Sequence, residues 1–219
     1  MYVINIDNLV KILTVSTKSF ERPAAEKIIE IYGKDPYLIL ISCILSLRTT
    51  DKISFEASRR LFAKAKDPMA MSCLSEQEIA TIIFPVGFYK KKSYTIKTIS
   101  SICLKLRFEK IVPTVKQLRA LPGVGLKTAH LVLSYAYGIP ALCVDTHVHR
   151  ISNRLGLVQT KTAEQTEAQL CNVIPEKYWI QFNSLLVMWG QNVCRPQSPK
   201  CSTCPLFSMC ARVSVTKHR

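Results

Sequence analysis

Apolar residues recur along this chain at intervals of three and four, and two-residue alternation is scarce, a pattern that predicts helices almost throughout. The periodicity predicts helices over Asp7–Lys18, Ala24–Tyr32, Pro36–Leu47, Asp51–Ala65, Glu76–Phe84, Lys91–Arg107, Val115–Ala120, Gly125–Tyr137, Asp145–Leu155, Thr162–Val173 and Tyr178–Gly190. Several ends are marked. Ser75 with Glu78 and Thr114 with Gln117 read as capping boxes, in which a hydroxyl and a side-chain carbonyl satisfy the free N–H groups of a first turn. Gly138 followed by Pro140 stops the helix before it. The connections are short and no segment repeats, so the expected fold class is all-α. The most apolar run, Pro36–Leu47, is shorter than the ~20 residues that span a bilayer. Asp7 and Asn8 interrupt what would be the apolar part of a leader, and no small-residue cleavage site follows. The expected location is cytoplasmic, without signal peptide or transmembrane segment.

Composition adds a partner class. Apolar residues make up 48% of the 219, enough for a packed core. Lys and Arg number 30 against 15 Asp and Glu, a net charge of +15. That excess argues against a cation scavenger and favours a polyanion, either nucleic acid or an anionic membrane surface. The charge is uneven. Lys90 to Lys127 holds ten basic residues and one acid, Glu109, and after Glu176 there are six basic residues and no acid. A single such run is commonly a solvated helix face; two of them in so basic a chain favour a phosphate-backbone footprint.

The most informative stretch is Leu121-Pro122-Gly123-Val124-Gly125-Leu126-Lys127-Thr128-Ala129, a tight turn between two helical patterns. Gly123 and Gly125 permit positive φ and lack Cβ atoms, so a phosphate can approach the backbone. The first N–H groups of the second helix are unsatisfied and carry the positive end of its dipole. Gly123, Val124 and Gly125 are therefore candidate DNA contacts that grip phosphate without reading sequence, and the competing reading is an ordinary helix connector. Lys127, in the first turn, is opposed by that dipole. It reads either as a phosphate contact or solvated side chain, or as an amine nucleophile. Asp145, in Val144-Asp145-Thr146-His147, suits a helix N-cap and equally a carboxylate that supports Lys127. His147 and His149 do not share a helix face and are not expected to bind metal together.

Nine cysteines in a reducing compartment are not expected to form disulfides. Cys43, Cys73, Cys103, Cys143 and Cys171 are scattered and read as small buried hydrophobes. Cys194, Cys201, Cys204 and Cys210 are spaced C-x6-C-x2-C-x5-C, which reads as a metal site. By spacing alone, zinc and a [4Fe–4S] cluster both remain open. The intervening loop carries Arg195 and Lys200, candidate residues for presenting charge to DNA.

Taken together, LPGVGLKTA, VDTH and the cysteine tail make the chain similar, over nearly its whole length, to the endonuclease III family of DNA glycosylases in the helix–hairpin–helix superfamily. The resemblance implies two helical domains flanking a DNA-binding cleft: a six-helix domain at 29–139 holding the hairpin, and an iron–sulfur domain of 1–28 with 140–219. It implies that the four cysteines hold a [4Fe–4S] cluster, that Lys127 is the catalytic nucleophile and that Asp145 is the catalytic aspartate. The implied activity is a base-excision-repair DNA glycosylase and abasic-site lyase that removes oxidised pyrimidines from duplex DNA. A damaged base is flipped out, Lys127 attacks the sugar C1′, and β-elimination through a Schiff base cuts the strand. A nucleoid-associated monomer is expected. The adenine-mismatch relatives use a glutamate in the segment matching Ser42–Thr49, which here has no acid and places Ile44 at the nearest match. They lack the lysine, and the thymine-mismatch relatives carry tyrosine there. One departure stands out. The family commonly has a glutamine that fills the gap left by the flipped base, and the matching residue is Arg48, which stacks and donates hydrogen bonds or simply contacts phosphate. Arg48 and Lys91 join the candidate DNA contacts. A non-catalytic DNA-binding module with a structural metal cluster is the alternative.

Overall fold

A computed structural model describes residues 4–106 and 112–219. Among the described residues there are helices and no strands: α1 Ile6–Ser16, α2 Ala24–Tyr32, α3 Pro36–Ser46, α4 Asp51–Lys64, α5 Pro68–Cys73, α6 Glu76–Ile83, α7 Tyr89–Leu106, α8 Val115–Arg119, α9 Leu126–Tyr137, α10 Thr146–Leu155, α11 Ala163–Val173 and α12 Trp179–Asn192. Single 3-10 turns lie at Glu176–Tyr178 and Phe207–Met209. None of these helices is long and apolar enough to cross a membrane.

Both capping boxes form as expected. Ser75 Oγ accepts from Glu78 N, and Thr114 Oγ1 accepts from Gln117 N. Gly138 adopts the left-handed conformation that closes α9. The short helix α5 escapes the apolar periodicity because six residues make less than two turns. Its signal is the cap: Asp67 accepts from Ala70 N at 2.8 Å, and Pro68 opens the helix. Helix α7 begins at Tyr89 rather than Lys91, and its expected end, Arg107, lies outside the described residues. Helix α12 runs to Asn192, past Gly190.

The chain divides into two compact units, Pro23–Ile139 and Met1–Arg22 with Pro140–Arg219. The expected boundary between residues 28 and 29 would cut α2. That helix stays whole in the first unit because it packs on α3 and α4, with Ile28 fully buried. This unit carries eight helices, α2 to α9, among the described residues, where the resemblance implies six. Its centre is α3, buried at every position from Tyr37 to Leu45, as an all-round apolar helix must be. Helices α2, α4, α7 and α9 pack around it, and Tyr37 hydrogen-bonds Ser100 on α7 at 2.7 Å.

The second unit packs α1 and α10 against α12 around Leu9, Leu13, Phe182, Leu186 and Trp189. Cys194, Cys204 and Cys210 lie against this core. Of the scattered cysteines, Cys43, Cys103 and Cys143 are buried and Cys171 is half-buried, but Cys73 is exposed. It ends the short α5, whose buried positions are Pro68 and Met71.

Candidate functional site

The hairpin is built by a turn whose residues match its dihedral demands. Leu121 O accepts from Val124 N at 3.2 Å, with Pro122 and Gly123 at the turn's centre. Gly123 has φ +75°, the left-handed third position of a type II turn. A Cβ there would meet Thr95 of α7 at 3.4 Å and Ile44 of α3 at 3.8 Å, so the turn rests on both helices. Gly125 plays a different part from the one its spacing suggests. It is extended, with φ −88°, a conformation open to any residue. It is the N-cap of α9, it provides no capping side chain, and a Cβ built on it would meet nothing within 4 Å. The free N–H groups of α9 are thus approachable by an anion. Val124 is 7% exposed, so its side chain belongs to the core and only its backbone is available to a ligand.

Lys127 sits half-buried in the first turn of α9. Its ammonium acts on Cys43 of α3: burial pushes that thiol up to about 11, and the Lys127 charge draws it back down.

Arg48 follows the end of α3 and is exposed, with φ +51°, a left-handed conformation that a long side chain seldom adopts. Its guanidinium lies 5.7 Å from the ring of Phe88, itself at φ +60° and 61% exposed. Lys91 is exposed in the first turn of α7.

In the other unit Asp145 is the N-cap of α10. Its Oδ1 accepts from His147 N and Val148 N, both at 2.8 Å. One turn on, the Arg150 guanidinium donates to Cys194 O at 2.9 Å and to Gly190 O at 3.3 Å, and lies 3.2 Å from His147 Nδ1. Arg154, a further turn along, donates to Arg195 O at 2.6 Å and Pro196 O at 2.7 Å. Two arginines of α10 thus hold the backbone of the loop that carries Arg195 and Lys200. Arg195 is exposed and Lys200 half-buried. Gly190 makes this approach possible: a Cβ there would stand 2.3 Å from His147 Nδ1 and 2.8 Å from Arg150 Nη2.

Cys194, Cys201, Cys204 and Cys210 line one cavity with Ile151, Trp189 and Leu206. Burial pushes Cys204 up to about 11 and raises Cys201 and Cys210, and the neighbouring thiols push each of the three further up. Arg154 Nη1 reaches Cys194 Sγ at 3.5 Å, and Cys210 Sγ donates to Arg154 O at 3.4 Å. Among the described residues no three His, Cys, Asp or Glu side chains are drawn close enough to form a metal-binding group. Four soft donors around one apolar cavity nonetheless match the chemistry of an iron–sulfur cluster. His147 and His149 turn to separate partners, Arg150 and Thr166.

A family model described as HhH-GPD superfamily base excision DNA repair protein matches residues 41–176. The chain is 40% identical over 176 residues to "Endonuclease III" of Thermotoga maritima, covering 80% of this chain and 83% of that one. It belongs to the endonuclease III family. The chloroplastic endonuclease III homolog 2 of Arabidopsis thaliana is 39% identical across 80% of this chain, which spans 47% of that protein. The solved structure of a trapped endonuclease III–DNA covalent intermediate, an estranged-adenine complex, superposes with TM-score 0.78 at 28% identity, covering 95% of this chain and 97% of that one.

Within this member of the endonuclease III family, several residues that shape the site belong to no motif in the sequence. Arg150, Arg154, Gly190 and Lys92 act through partners more than forty residues away. An i, i+4 arginine pair on the helix after VDTH was the available sign for two of them. Charge also divides differently from its distribution along the chain. Lys92, Lys97 and Arg60 donate to carbonyls at the ends of α3, α5 and α6, as cations near helix C-termini favourably do. Lys92, buried, and Lys97, half-buried, are therefore structural members of the basic excess, while Arg60 caps α6 from the surface.

Proposed function

We propose that this base excision DNA repair protein of the endonuclease III family is a bifunctional DNA glycosylase and abasic-site lyase acting on oxidised pyrimidines in duplex DNA. The observation that carries the reading is Lys127, half-buried in the first turn of α9 directly after the glycine hairpin. The hairpin's open N–H groups hold a backbone phosphate, with Arg48, Lys91, Arg195 and Lys200 adding contacts that offset the cost of extruding the base. Lys127 Nζ, as the free amine, attacks C1′ of the extruded nucleotide. The C1′–base bond breaks with the electron pair leaving on the base, and the amine loses a proton. Ring opening gives an imine between Lys127 and C1′. Loss of a C2′ proton then expels the 3′ phosphate, which cuts the strand. Asp145 stabilises the cationic sugar and takes part in the proton transfers. The trapped covalent intermediate of the endonuclease III relative is chemistry of the same kind.

The test is a panel of duplex oligonucleotides carrying thymine glycol, an abasic site, uracil, or adenine opposite 8-oxoguanine. Strand cleavage is expected at the first two and not at the last two. Tight binding without cleavage at either of the first two would show a non-catalytic DNA-binding module instead.

Cys194, Cys201, Cys204 and Cys210 would hold a [4Fe–4S] cluster, which supplies a rigid clamp for the Arg195–Lys200 loop. Their shared apolar cavity supports this. Anaerobically purified protein is expected to be brown, with iron and acid-labile sulfide in equal amounts, about four of each per chain. Cys204→Ala should lose the colour and lower the thermal transition more than Cys73→Ala, since Cys73 is exposed. Stoichiometric zinc in colourless protein would overturn the assignment.

A further inference from the structure

Lys92 is 7% exposed, and its ammonium meets backbone oxygens and a hydroxyl. It donates to Leu45 O at 2.8 Å, Leu47 O at 2.6 Å and Thr49 Oγ1 at 3.2 Å. The first is an α3 carbonyl near the helix end; the other two belong to the residues on either side of Arg48. Lys97, by contrast, donates to one carbonyl, Leu74 O, as a plain cap. Thr49 Oγ1 also accepts from Gly87 N at 3.2 Å. A Cβ at Gly87 would stand 2.7 Å from Arg48 O, so the Arg48 turn presses directly on the Gly87–Phe88 turn. A non-glycine residue at φ +51° persists only where its surroundings over-determine it, and here three of the hydrogen bonds that hold the turn meet at one ammonium, beside Thr49 N to Ser46 O and Thr49 Oγ1 to Leu47 O within the turn itself. Burial lowers the Lys92 pKa to about 8, so the charged form that makes these bonds still prevails at neutral pH.

We propose that Lys92 is a positioning residue, whose buried ammonium locks the Leu47–Thr49 turn and thereby sets Arg48 for its contact in the gap left by the extruded base. This rests on the DNA-contacting role read for Arg48. Lys92 touches neither substrate nor reacting atoms. It fixes both flanks of a residue held in the left-handed region, and that residue's side chain is left exposed.

The test uses the full-length protein with any cluster intact and two readouts. The first is the rate of tryptic cleavage at the Arg48–Thr49 bond in folded, DNA-free protein, followed by mass spectrometry. The second compares single-turnover excision of thymine glycol with β-elimination at a preformed abasic site. Lys92→Met should speed cleavage at Arg48 and slow excision, each by about tenfold or more, with abasic-site cleavage nearly unchanged. Lys92→Arg should restore much of the excision. Added to Arg48→Ala, Lys92→Met should cost nothing further, since both act through the same side chain. Thr49→Val, which removes one acceptor and conserves shape, should show the same effects in smaller degree and serves where Lys92→Met fails to fold. Unchanged tryptic cleavage in folded Lys92→Met or Thr49→Val, or independent losses in the double variant, would overturn the proposal. Faster cleavage at Arg48 together with unimpaired excision by Arg48→Ala would instead overturn the role of Arg48 and leave the hold of Lys92 on the turn standing.

Discussion

Lys127→Ala is expected to abolish the covalent protein–DNA adduct that borohydride traps during turnover on an abasic or thymine-glycol duplex, while binding to the same duplex survives. Trapping requires an imine, and only a primary amine on the protein forms one. Removing the side chain past Cβ leaves the hairpin intact, because the turn is made by Pro122, Gly123 and the Leu121–Val124 hydrogen bond. The N–H groups offered to phosphate belong to the backbone. Binding and chemistry should therefore separate cleanly. Lys127→Arg should not rescue, since a guanidinium stays protonated and is no nucleophile. An undiminished adduct in Lys127→Ala would move the nucleophile elsewhere, and of the next candidates, Lys90, Lys91 and Lys92, the first two are exposed at the start of α7 while Lys92 is buried, so Lys90 and Lys91 are tested first.

Asp145→Asn should leave the fold intact and lower base excision by roughly two to four orders of magnitude, the range for loss of a positioned proton-transfer group. The reasoning is geometric. One oxygen, Oδ1, accepts both cap hydrogen bonds from His147 and Val148. Asparagine keeps an acceptor there and remains a good N-cap, whereas it loses the charge. Asp145→Ala loses both and should cost about 1 kcal/mol of stability in addition. Thermal denaturation and single-turnover excision, measured on the same preparations, separate the two contributions. If Asp145→Asn unfolds the protein and leaves activity per folded molecule unchanged, Asp145 is a cap and nothing more.

Much of what bears on these experiments is readable before folding. The hairpin is legible because Pro122-Gly123 encodes its turn within four residues, and both capping boxes lie within three. Gly125 was misread in one respect: its importance is the missing side chain, not a positive φ. Whether a glycine serves by conformation or by space depends on what stands around it, and at Gly125 nothing does. Helix α5 was missed because periodicity needs more turns than six residues contain, although Asp67-Pro68 marks its start.

Local interactions, within about one helical turn, determine the caps, the hairpin and the longer α-helices, and the sequence displays these together with the cysteine spacing. The destinations of the cations were decided only by the tertiary structure. Lys91 and Lys92 are adjacent and chemically identical. One is exposed, and the other is buried on the carbonyls of Leu45 and Leu47. Arg150 and Arg154 resemble surface charges of a helix until α12 and the cysteine loop bring Gly190, Cys194, Arg195 and Pro196 to them. A buried charge is tolerated only where acceptors meet it, and those acceptors come from forty or more residues away. That is why the net charge of +15 names a polyanion, while the fold alone separates the cations that can face it from those that hold the protein together.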